Sequence, residues 1–174
     1  MKTLIPLTAA VLLAACQSMS TSTPEPLRAT AALQPTKGSK AFGEATFEQV
    51  GNKVRVIVFA QGLQPEREHG FHIHEAGDCS SGDGMSAKGH FNPHGKPHGD
   101  PKSAERHAGD LPALKAGKDG RAKVDVEMDV ITLTSGPANV VGKGLIIHAD
   151  PDDYKTQPTG NAGARLACGV IKSG

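Results

Sequence analysis

The chain has 174 residues, enough for one domain with a core of its own. Its 19 Lys and Arg face 18 Asp and Glu, so the net charge of +1 excludes the basic excess on which nucleic-acid binding rests. Aromatic residues make up 3% and Trp is absent, so Val, Ile, Leu, Ala and a few Phe must form the core.

The N-terminus reads as an address. Lys2 is the only charge before an apolar run from Leu4 to Ala15. That run of about 12 residues is too short for a membrane helix, which needs roughly 20. A positive start, an apolar middle and small residues at the end predict a secretory signal over residues 1–15. Leu13-Ala14-Ala15-Cys16 resembles the bacterial lipobox, in which the signal is cut before the Cys and that Cys receives lipid. The resemblance implies an exported protein of the periplasm or cell envelope, held to a membrane by acyl chains on Cys16. Residues 17–40 are rich in Ser, Thr, Pro, Ala and Gln and predict a flexible tether, which puts the folded domain at 41–174.

Within that domain the pattern is β. After the turn-like Gly51-Asn52, the residues Val54, Val56 and Val58 alternate and predict one buried strand face. Gly77 to Pro112 lacks any strand pattern and predicts a long functional loop. Asp119-Gly120 predicts a hairpin turn before Lys123 to Val130, where Val124, Val126, Met128 and Val130 alternate with Asp125, Glu127 and Asp129. Leu145-Ile146-Ile147-His148 predicts a buried strand ending at a polar residue, and Arg165 to Ile171 a last strand. No folded segment carries a helical stripe. The expectation is an all-β domain, an antiparallel sandwich or flattened barrel with Greek-key links.

Two residue types point to chemistry. Once Cys16 is assigned to lipid, Cys79 and Cys168 remain as one pair, and an exported chain with one pair predicts a disulfide. All eight His lie between His69 and His148, seven of them before Leu111. In a strand, His72 and His74 point to one face and can reach one metal. His90, His98, His107 and Asp110 make a closed tetrahedral set suited to zinc. Imidazoles also suit copper, and His148 is a separate, distant donor.

Gly70-Phe71-His72-Ile73-His74-Glu75, His90-Phe91-Asn92-Pro93, Glu105 to Leu111 and Gly160 to Ile171 together resemble copper–zinc superoxide dismutases. The resemblance implies an immunoglobulin-like sandwich that converts superoxide to oxygen and hydrogen peroxide, with one copper and one zinc per chain. It implies His72, His74, His90 and His148 as copper ligands, and His90, His98, His107 and Asp110 as zinc ligands, with His90 bridging the metals. It implies Asp152 as a carboxylate bonded to ligands of both metals, Arg165 as the cation that attracts and orients the anion, and Cys79–Cys168 as the structural disulfide. A homodimer is compatible with it. His94, His69, Glu75, Asp78, Asp83 and Met85 are expected to be solvated, packing or otherwise ordinary residues. The rival readings are a non-catalytic copper- and zinc-binding module of the envelope, which needs no Arg165, and a zinc hydrolase, which needs an open zinc position that Asp110 would close.

Overall fold

The computed structural model describes residues 25–174, so the expected signal, Cys16 and the first part of the expected tether lie outside the described residues. Ten strands follow in chain order: β1 (Arg28–Pro35), β2 (Phe42–Val50), β3 (Lys53–Gln61), β4 (Glu68–His69), β5 (Phe71–His74), β6 (Leu114–Lys115), β7 (Ala122–Met128), β8 (Gly144–His148), β9 (Arg165–Val170) and β10 (Lys172–Ser173). One curled antiparallel sheet runs β5-β8-β9-β1-β2-β3-β7, with β10 paired to β1, and β4 pairs β6 separately. β3 and β5, consecutive among the strands of this sheet, stand near opposite ends of that order, as do β7 and β8, so the links cross over as in a Greek key. The all-β expectation holds, and among the described residues the only helical element is one 3₁₀ turn, Met85–Ala87.

Period-two alternation builds the core. Val54, Val56, Val58 and Ala60 of β3 are buried, with Ala45 and Phe47 of β2 on the same side. Val124 and Val126 of β7 pack against that core only partly buried, their neighbours Asp125 and Glu127 pairing outside with Arg55 and Lys53. Gly120, with φ of 69°, makes the turn before β7.

One expectation is corrected. The predicted tether contains β1, with Ala29, Ala31 and Leu33 fully or almost fully buried. This strand sits between β2 and β9 in the sheet, so the folded unit starts at about Arg28 instead of residue 41. The alternation was hidden because two of its three inward residues are Ala, which carry little hydropathy signal and need only a shallow slot.

Candidate metal centre

β5 is the foundation of the site. All four of its residues are buried, and its register sets His72 opposite Ile146 and His74 opposite Gly144 of β8. Alternation turns both imidazoles to one face while Ile73 joins the core on the other. His148 closes β8 at an irregularity in its pairing with β9, so an unbroken apolar strand delivers one imidazole at its end.

The long loop between Gly77 and Pro112 supplies the other donors. Backbone bonds stitch it to β5: Ile73 N–H donates to Gly109 O at 2.9 Å and Phe91 N–H donates to Ile73 O at 2.8 Å. Gly109 is required there, because a Cβ would lie 2.2 Å from the Ile73 carbonyl oxygen. The Cys79–Cys168 disulfide, with an S–S distance of 2.01 Å, ties the loop to β9.

Two buried donor groups result. His72, His74, His90 and His148 offer ligand atoms within 4.8 Å of one another, as do His90, His98, His107 and Asp110. His90 belongs to both. Its Nδ1 lies 2.9 Å from Asp110 Oδ1, whereas its Nε2 is buried with no hydrogen-bond partner. His72 Nε2 is held 2.6 Å from Asp152 Oδ2, and its Nδ1 is likewise buried and unpartnered. Buried polar nitrogens without partners are costly, and a metal ion is the partner that fits them. His74 and His148 bring their Nε2 atoms to 3.3 Å from each other, their Nδ1 atoms being engaged by the carbonyls of Lys88 and Gly163. Nδ1–H donation to a carbonyl fixes the tautomer that leaves Nε2 free to bind metal.

The electrostatics match. Burial pushes the pKa values of His74 and His148 well below that of a free imidazole, and that of His90 down to about 4. These rings are therefore neutral at pH 7, the form that binds metal. Burial opposes charge at Asp110 too, but bonds from His107, His90, His98 and the Gly99 N–H outweigh it and hold the carboxyl far below its usual range. Burial would also lower His98, yet its bonds to Asp110 and Asp152 lift it to about 9, so a metal binding there displaces a proton.

Asp152 joins the two groups, with Oδ2 on His72 and Oδ1 2.9 Å from His98 Nε2. Arg165 and His148 line one cavity with Met85, Thr159 and Asn161 to Ala164. The guanidinium is anchored by donating to Gly84 O at 2.6 Å and Lys88 O at 2.5 Å. A larger concavity around Phe42, Phe59 and Arg121 shares no residue with either donor group. His94 is exposed and joins neither group, and Glu75, Asp78 and Asp83 are exposed. His69 is buried with Nδ1 2.8 Å from His148 O, so it braces the backbone of that residue. Sequence reasoning missed Gly160: a Cβ there would lie 1.8 Å from Asp152 Oδ1 and 2.5 Å from His98 Nε2. It also missed Thr36, whose hydroxyl donates to Arg165 O at 2.6 Å from the end of β1.

A curled antiparallel β domain that gathers six imidazoles and one carboxylate into two adjoining buried groups carries the donor sets for two metal ions. The family model for copper/zinc superoxide dismutase matches residues 41–171, and the chain belongs to that family. Superoxide dismutase [Cu-Zn] 2 of Aquifex aeolicus is 42% identical over 158 residues, 88% of this chain and 92% of that protein. The enzyme of Paramecium bursaria Chlorella virus 1 is 43% identical, covering 84% and 79% of the two chains. The extracellular enzyme of Haemonchus contortus is 44% identical, covering 76% and 74%. Among solved structures, the clock protein EA4 superposes with a TM-score of 0.77 at 40% identity, over 88% of this chain and 99% of that one. The chain is thus a superoxide dismutase with copper and zinc as cofactors and superoxide as substrate.

Proposed function

We propose that His72, His74, His90 and His148 hold the copper, that His90, His98, His107 and Asp110 hold the zinc, and that His90 bridges them. The observation behind this reading is His90 itself, buried, common to both groups, with Nδ1 at Asp110 and Nε2 unpartnered. Four nitrogens suit copper, and three nitrogens with a carboxylate oxygen suit a closed zinc site. Bound there, copper supplies a one-electron couple, and zinc, which has no redox chemistry, supplies fixed positive charge.

The chain's own residues do the rest. Arg165 draws superoxide into the cavity it shares with His148, and its anchored guanidinium orients the anion. His90 Nε2 is the atom at which a proton is held for the peroxide product. Asp152 keeps His72 and His98 in the tautomers that present Nδ1 to each metal. The overall reaction takes two superoxide anions and two protons to oxygen and hydrogen peroxide.

Metal counts per chain in single variants test the assignment. His148→Ala is expected to lose copper and keep zinc, His107→Ala to lose zinc and keep copper, and His90→Ala to weaken both. A His90→Ala chain that weakens only one metal contradicts the bridge.

The N-terminal pattern adds a place. The protein is exported and anchored through lipid on Cys16, where it removes superoxide at the cell envelope, a reading supported by the lipobox-like Leu13-Ala14-Ala15-Cys16 and by an extracellular relative. Cys16→Ser is expected to move the protein from the membrane fraction to the soluble one. Membrane retention by that variant contradicts the anchor.

A further inference from the structure

Lys88 stands at φ 64° and ψ −149°, in a region of backbone space that glycine occupies freely and that strains any residue with a Cβ. The strain has a local use. The Lys88 carbonyl accepts Nη2 of Arg165 at 2.5 Å and lies 2.8 Å from Nδ1 of His74. One carbonyl thus orients both a proposed copper ligand and the anion-binding guanidinium. A glycine would aim that carbonyl equally well and at no steric cost. The chain instead places a lysine there, with an exposed side chain. What the side chain adds to a position that prefers glycine is positive charge.

The surrounding charge gives that addition a purpose. The same loop carries the exposed acids Asp78 and Asp83, and the field of Asp83 reaches Arg165. An acid beside the entrance repels superoxide. We propose that Lys88 is a second steering cation at the copper entrance, held there by the backbone clamp that also positions His74 and Arg165. By Coulomb's law, a unit cation about 10 Å from a monovalent anion in an aqueous dielectric raises the local concentration of that anion about twofold. That gain fades once salt shortens the screening length below the distance. The inference rests on His74 being a copper ligand.

The experiment uses the copper- and zinc-loaded chain and its variants Lys88→Gln, Lys88→Arg and Lys88→Gly. It follows the second-order rate with superoxide against ionic strength, azide titrations of the copper absorption band, and thermal unfolding of the metal-free protein. Lys88→Gln is expected to lose about twofold in rate and in azide affinity at low salt, with the difference vanishing at high salt. Lys88→Arg is expected to restore both. Lys88→Gly is expected to match Lys88→Gln in rate while raising the unfolding temperature by a few degrees, because the strain is relieved. Wild-type rate in Lys88→Gln at low salt, failed rescue by Lys88→Arg, or an unchanged unfolding temperature in Lys88→Gly would overturn the proposal. A wild-type protein whose copper band ignores azide would instead overturn the copper assignment, and this inference with it.

Discussion

Asp152 has no room to be anything but a bridge. Its carboxylate accepts from His72, His98 and the Tyr154 N–H, at 2.6, 2.9 and 2.7 Å. Burial would raise its pKa, but those bonds hold it below the usual carboxylate range, so it stays ionised. Asp152→Asn turns one accepting oxygen into a donor facing another N–H. It is expected to weaken metal binding about 10–100-fold, as loss of such partners commonly does, measured by competition with a chelator. Affinity unchanged for both metals would contradict the bridge. Arg165 has a different role, since its guanidinium donates only to the backbone carbonyls of Gly84 and Lys88 and to no member of either donor group. Arg165→Ala is expected to keep both metals and slow turnover about tenfold or more at low ionic strength, read by superoxide decay. Unchanged activity there would remove Arg165 from the mechanism. The two donor groups were legible because their side chains recur at short spacings within long motifs. Gly160 and Lys88 were not, because their importance lies in a missing Cβ and in a backbone angle, which letters do not display.

Among the elements, β1 changes the account most. It lies hydrogen-bonded between β2 and β9 with its inward face buried, and its end reaches the site: Thr36 donates to the Arg165 carbonyl, and Lys37 N–H donates to Gly82 O at 2.7 Å in the long loop. A segment whose composition resembles a linker therefore helps position the proposed anion-orienting cation. Leu33→Ala is expected to destabilise the chain by about 2–5 kcal/mol, the range for a buried leucine, as measured by denaturant unfolding. A tether would show no change. The strands β3, β7, β8 and β9 were legible from alternation or from an unbroken apolar run. The short β4, β6 and β10 have two residues each and offer no period to read. The long loop was legible as a loop, but its course depends on bonds to Ile73 and on the disulfide, contacts far apart in the chain.

At the scale of the molecule, the sheet gives the imidazoles a rigid floor, and the loop and the Asp152 bridge close over it. Burial keeps the His74 and His148 rings neutral, and hydrogen bonds keep the Asp110 and Asp152 carboxylates ionised, the forms that bind or brace a metal ion. Under the proposed assignment, the two adjoining donor groups perform superoxide disproportionation at copper, with zinc beside it. The most direct measurement is superoxide decay catalysed by the metal-loaded chain, with copper and zinc counted per chain and each removed in turn. One of each metal per chain is expected, with fast decay, loss of activity when copper is removed and retention of most of it when only zinc is removed. Full occupancy by both metals without activity would contradict this expectation and leave a metal-binding module on this scaffold.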